Sequence, residues 1–153
     1  MNTKDHGIPH SRRRWYCAGI REDVNKGTFC FPDKIPCANI ERFLNHRDAN
    51  LALNGLPPKS QGMARSNVKN TLRLLELEGF VPTHNPYAIT CDSSPSRATH
   101  MYGVTPCFTC CGSAGHWITN RGHRLQKDEM MRLQGMDPTE FIAVVSDSQL
   151  GNS

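Results

Sequence analysis

The chain has 153 residues, 37% of them hydrophobic and 21% charged, enough for one domain with a lean core. Its net charge of +4 with His neutral permits an anionic partner without requiring one, because the basic residues are scattered apart from a single arginine run. No apolar stretch approaches a membrane span, "MNTKDHGIPH" holds no apolar signal core, and seven cysteines are too sparse for a secreted disulfide scaffold, so an intracellular, reducing location with mostly free thiols is expected.

In chain order, "RWYCAGI" (14–20) is an apolar run without alternation, which predicts a strand buried on both faces of a mostly parallel sheet. The following "EDVNKGTFCFPDKIPC" reads as loop, broken by Gly27, Pro32 and Pro36. Ile40, Phe43 and Leu44 then stand at the spacing of a short helix, and residues 50–65, with Pro57 and Pro58, read as a surface connection. A helix is predicted from a cap at Ser66 to Gly79, with Val68, Leu72 and Leu75 on one stripe and Leu74 and Leu77 widening it. "YAITCD" (87–92) is strand-like.

The best-punctuated helix lies in "RLQKDEMMRLQGMDPTEF". With Gln126 as cap, Glu129 can reach back to the exposed amides, and Leu125 and Met130 form a hydrophobic staple. Gly135 ends the helix and Pro138 prevents its continuation. Met130, Met131 and Met136 read as core filling, and "FIAVV" (141–145) as a strand or a packed loop. So much loop is unusual for an independent domain.

Three groups of residues carry possible chemistry. In an extended "GIPHSRRRW", Arg12 and Arg14 share one face and Arg13 takes the other, so two guanidiniums make a fork for a phosphate or a base carbonyl; the plain alternative is a solvated basic strand end. Cys107, Cys110, Cys111, His116 and His123 hold enough donors for zinc, but the His spacing is wide and no second C-x-x-C pair exists, so free thiols in a loop compete with metal. Arg121 and Arg124 suit phosphate contacts or structural pairing, and Trp117 a packing anchor. The "LRLLELEG" helix carries two acids among three charges, which suits packing better than the major groove.

"GIPHSRRRWYCAGIRED" resembles the eighth conserved block of the DNA cytosine-5 methyltransferases, roughly Gly-Val-Pro-Gln-x-Arg-x-Arg followed by an apolar strand. "RLQKDEMMRLQGMDPTEF" resembles the ninth block, and the final "SQLGNS" the opening of the tenth. The resemblance implies the C-terminal portion of such an enzyme, acting on cytosine in double-stranded DNA with S-adenosylmethionine. The implied fold class is α/β: an incomplete piece of a Rossmann-like methyltransferase domain plus a small, loop-rich target-recognition domain. Residues 1–24 would belong to the catalytic domain, 25–120 to target recognition, and 121–153 to the return into the catalytic domain.

Residue by residue, the resemblance gives Arg14 the flipped cytosine, Arg12 the site and DNA backbone, and Asn152 and Ser153 the cofactor pocket. His10 stands where the family has Gln, and with Arg121 and Arg124 it is expected to contact DNA. The chemistry needs cations there. Extruding a cytosine costs a few kcal/mol, and the ring becomes negatively charged when a thiolate attacks C6.

The family's Pro-Cys nucleophile block, Glu-Asn-Val block and Gly-rich cofactor turn have no counterpart in this chain, and Cys37 in "IPCAN" lies on the wrong side of the arginine block. The resemblance therefore implies a missing N-terminal half, in cis or as a separate subunit. The stop after "GNS" favours a truncated product. The expected location is the nucleus in a eukaryote and the cytoplasm otherwise. The alternatives are a small zinc-binding nucleic-acid module around Cys107 to His123 and a DNA-binding remnant without activity.

Overall fold

A computed structural model describes residues 1–47, 55–109 and 114–140. It is a mixed α/β structure with one parallel and one antiparallel sheet. Strand β1 (His10–Ser11) pairs in parallel with β4 (Thr105–Pro106). Strands β2 (Tyr87–Ile89), β3 (His100–Tyr102), β5 (Trp117–Ile118) and β6 (His123–Arg124) form an antiparallel sheet in the order β3-β2-β5-β6.

The two faces of this sheet follow from the period-two alternation of side chains. Ala88 stands opposite Ile118 and Ile89 opposite Trp117. Ala88 and Ile118 pack with Ile40, Leu44, Leu125 and Leu133 on one side. Ile89 and Trp117 pack with Ala64, Val68 and Cys91 on the other. The strand expected at "YAITCD" thus becomes one of the two inner strands, and Trp117 is a packing anchor.

Helix α1 (Gly62–Leu77) covers the second face. It begins four residues before the predicted cap at Ser66, because Ala64 extends the Val68–Leu72–Leu75 stripe by one turn and Arg65 ties the start to the Pro57 carbonyl at 2.7 Å. Leu74 and Leu77 do not widen the stripe; both are exposed. Leu77 lies nine residues past Val68, about half a circle away at 100° per residue. The predicted stop holds: Gly79, at φ +84°, lets Phe80 donate to the Leu75 carbonyl and Gly79 to that of Glu76.

Helix α2 (Lys127–Arg132) follows its sequence punctuation closely. Glu129 accepts the Gln126 amide at 2.7 Å, Met130 packs on the core that buries Leu125, and Gly135 closes the end at φ +81°. Ile40–Arg42 is the short helix expected there, a single 3-10 turn capped by the Asn39 side chain. Gly115 is needed at its turn, since a Cβ there would stand 2.6 Å from the Leu125 carbonyl oxygen at φ +83°.

The region 14–20 differs from expectation. It forms no strand, and every residue from Arg13 to Cys37 is exposed. Trp15 is 102% exposed, with Tyr16, Ile20, Val24, Phe29, Phe31 and Ile35 also open. A doubly buried strand needs neighbours for its amides and cover for both faces. Among the described residues a parallel neighbour accompanies the chain only as far as Ser11. The division expected after residue 120 runs inside the β5–β6 hairpin, and Leu125 and Leu133 share a core with Ile40, Leu44, Ala88 and Ile118. "FIAVV" lies outside the described residues.

Candidate functional site

The arginine run is held by the chain's first residues. Thr3 donates to the Arg12 carbonyl at 3.3 Å, Arg14 to that of Met1 at 2.9 Å, and the terminal amine to that of Arg14 at 2.8 Å. Arg12 is half-buried, and its Nε is closed to solvent without an acceptor. Arg14 is exposed; it donates to the Arg13 carbonyl at 2.9 Å and stands 3.8 Å from the Cys107 sulfur. Arg13 and Arg14 line a cleft of about 630 Å³ with Lys4, Lys34, Asp5 and Trp15. Four cations against one acid, with Asp5 3.8 Å from Lys34, make it electropositive.

His10 lies beneath this rim, only 1% exposed. Its ring packs 4.7 Å from Phe108, which stacks in turn 5.3 Å from His116. Desolvation first, then Arg12, His116 and Arg14, depress its pKa from 6.5 to about 4, so the imidazole is neutral at physiological pH. Nε2 accepts the Phe108 amide at 3.3 Å, which assigns the ring proton to Nδ1. His10, expected to contact DNA, is enclosed by these neighbours. The side chain instead ties β1 to the segment after β4.

Arg121 and Arg124 are likewise turned inward. Arg121 is 6% exposed, pairs with the Glu41 carboxylate and donates to the Asn45 carbonyl at 3.2 Å. Arg124 grips Asp92 with both terminal nitrogens, at 2.6 and 2.7 Å, and also reaches the Gly115 carbonyl and Gln61. The Asp92 hydrogen bonds hold its pKa above the usual arginine value. Both guanidiniums, expected to contact DNA, have intramolecular carboxylate partners. Sequence reading missed the Glu41–Arg121 and Asp92–Arg124 pairs because their partners lie 80 and 32 residues apart, and spacing carries no signal at that range.

The cysteine–histidine group is not assembled as a metal centre among the described residues. Cys110 and Cys111 lie outside them. His116 is buried, and desolvation keeps it neutral by lowering its pKa. His123 sits with Nδ1 2.6 Å from the Arg124 carbonyl. Cys37 occupies an exposed loop, and partial desolvation raises its pKa, which disfavours the thiolate a nucleophile requires. Asn152 and Ser153 lie outside the described residues, so no described side chain is assigned to a cofactor.

One further cleft was not legible in the sequence. It measures about 910 Å³ and runs between the 3-10 turn Ile40–Arg42 and the connections around residues 84–86, 102–103 and 120–121.

The family model for C-5 cytosine-specific DNA methylase matches residues 1–153. Neither the search of curated proteins nor that of solved structures returned a match.

Proposed function

Because the chain belongs to the C-5 cytosine-specific DNA methylase family, we propose that it forms the part of such an enzyme running from the eighth conserved block to the tenth. In this reading Arg12 and Arg14 contact the extruded cytosine and its phosphates, and the packed body contributes target recognition. The observation that carries the reading is the uncovered apolar run immediately behind the arginine pair: Trp15, Tyr16 and Ile20 are exposed, where a complete catalytic sheet would cover them. A complementary portion of the domain, in cis or as a second chain, supplies that cover and the nucleophilic thiol. S-adenosylmethionine, when bound, supplies the methyl group.

This chain's residues then divide the work. Arg14 has an exposed guanidinium suited to the base carbonyl or a phosphate. Arg12, two residues earlier in the chain, holds an unmet Nε donor. Their charge offsets the negative charge that develops on the cytosine ring when its C6 is attacked. His10, neutral and buried, fixes the short strand β1 that precedes them. Arg121 and Arg124 are positioning residues: the first locks the Ile40–Arg42 turn to the β5–β6 connection, the second anchors β6 to the loop after β2.

The test is reconstitution with a complementary polypeptide carrying the Pro-Cys and cofactor blocks of the family. Arg14→Ala is expected to lower methyl transfer about 100-fold or more, comparable to the loss of one stabiliser of developing charge. It should weaken duplex binding only a few-fold. Turnover equal to that of the unsubstituted complex would overturn the role of Arg14.

A further inference from the structure

We infer that the 910 Å³ cleft beside the Ile40–Arg42 turn receives one base of the DNA, a base bearing an exocyclic amino group, and so sets part of the sequence preference. This rests on the proposed DNA role and adds the element that reads sequence.

The cleft's size falls in the range of roughly 300–1,000 Å³ typical of ligand sites, and its lining mixes apolar surface with the polar side chains of Asn45, Asn120 and Arg121. Tyr102, on edge strand β3, is 62% exposed and braced by Tyr87 at a ring distance of 5.2 Å, which leaves a face for stacking. Arg47 and His84 line the same space, and among the described residues neither side chain forms an ion pair.

Asn120 gives the clue to the ligand. It is 3% exposed, and its Oδ1 has no hydrogen-bond partner. Its Nδ2 donates to the Glu41 carboxylate at 2.6 Å. A carboxylate only accepts, so the amide orientation is fixed and the unpartnered atom is the oxygen. What is missing is a donor. Glu41 is itself neutralised by Arg121, so the wall does not call for a cation. An amino group on a flat ring, stacked on Tyr102, answers both the orphan acceptor and the aromatic face. Adenine N6 and cytosine N4 are such donors on base edges. Because Oδ1 is closed to water, the ligand engages it by a small adjustment of the surrounding side chains.

The cleft is also stiff where it needs to be. Asn45 is held by Gln126 at 2.8 Å and by the Arg132 guanidinium, and Thr119 donates to the Asn85 carbonyl at 2.7 Å. These bonds hold the Asn45 and Asn85 sides of the cleft in place.

The experiment measures the affinity of the 153-residue chain for duplex oligonucleotides varied one base pair at a time, at a single salt concentration. The expected result is one position at which an amino-bearing base is favoured about tenfold, as a lost base contact of this kind predicts. Tyr102→Ala and Arg47→Ala, both outside the core, should erase the preference at that position while leaving the thermal midpoint in place. Preference unaltered in both variants overturns the inference. So does an equal loss for every duplex, which marks phosphate contact alone, and so does a chain that binds all duplexes equally or none. These outcomes are separate from the methyl-transfer test of Arg14, which can succeed or fail without changing the base preference read here.

Discussion

Ile35 and Ile40 are five residues apart, yet the first is 55% exposed and the second fully buried. They belong to two regions of comparable apolar content and opposite fate. From Ile40 onward, apolar side chains find a sheet with two covered faces. From Arg13 to Cys37 the chain carries Trp15, Tyr16, Phe29 and Phe31 and covers none of them. The difference lies in neighbours rather than composition. A strand's apolar residues are buried only when another element occupies each face, and β1 has a partner for two residues.

The comparison is broken most directly in the packed body. Leu133→Ala should cost about 2–5 kcal/mol in urea unfolding, because Leu133 is fully buried between the sheet and the Ile40 turn. Phe29→Ala should stay within about 0.5 kcal/mol in the same measurement. Equal losses would show that residues 13–37 are covered in solution.

Next in size is the effect of acid. Folded His10 titrates near pH 4 and the unfolded residue near 6.5, so the unfolded chain binds more protons between those values and stability falls as pH falls through that window. At 1.36 kcal/mol per unit the loss has an upper bound of about 3 kcal/mol, and His116, shifted the same way, adds to it. Unfolding of His10→Gln across pH 6.5 to 4 should show a flatter profile than the unsubstituted chain. Identical profiles would remove His10 from the balance between body and rim.

The smallest effect sharpens a boundary. Leu77→Lys, on the solvent face of α1, should change stability by less than about 0.5 kcal/mol, whereas Val68→Ala on the buried face should cost about 1 kcal/mol or more.

What the sequence disclosed follows the same division by range. Helix α2 was legible because cap, staple and terminating glycine lie within ten residues of one another. The Gly79 stop and strand β2 were legible for the same local reason. The β5–β6 hairpin was not, since two-residue strands carry too little alternation to count. The inward turn of Arg121 and Arg124 was also hidden, because only tertiary structure brings Glu41 and Asp92 to them. "RWYCAGI" showed the opposite failure: its apolarity was read correctly, but the buried strand expected from it does not form, because the described residues give it no neighbouring strand.

The two tryptophans carry this contrast into optics. Trp117, 5% exposed, sits in a medium of low polarity and should emit at short wavelength whatever surrounds the molecule, while Trp15 faces water and should emit at long wavelength. The emission band is therefore a sum of a fixed component and a reporter. Anything that settles onto the segment behind the arginines will move only the second, so the chain carries its own gauge of whether that surface is occupied.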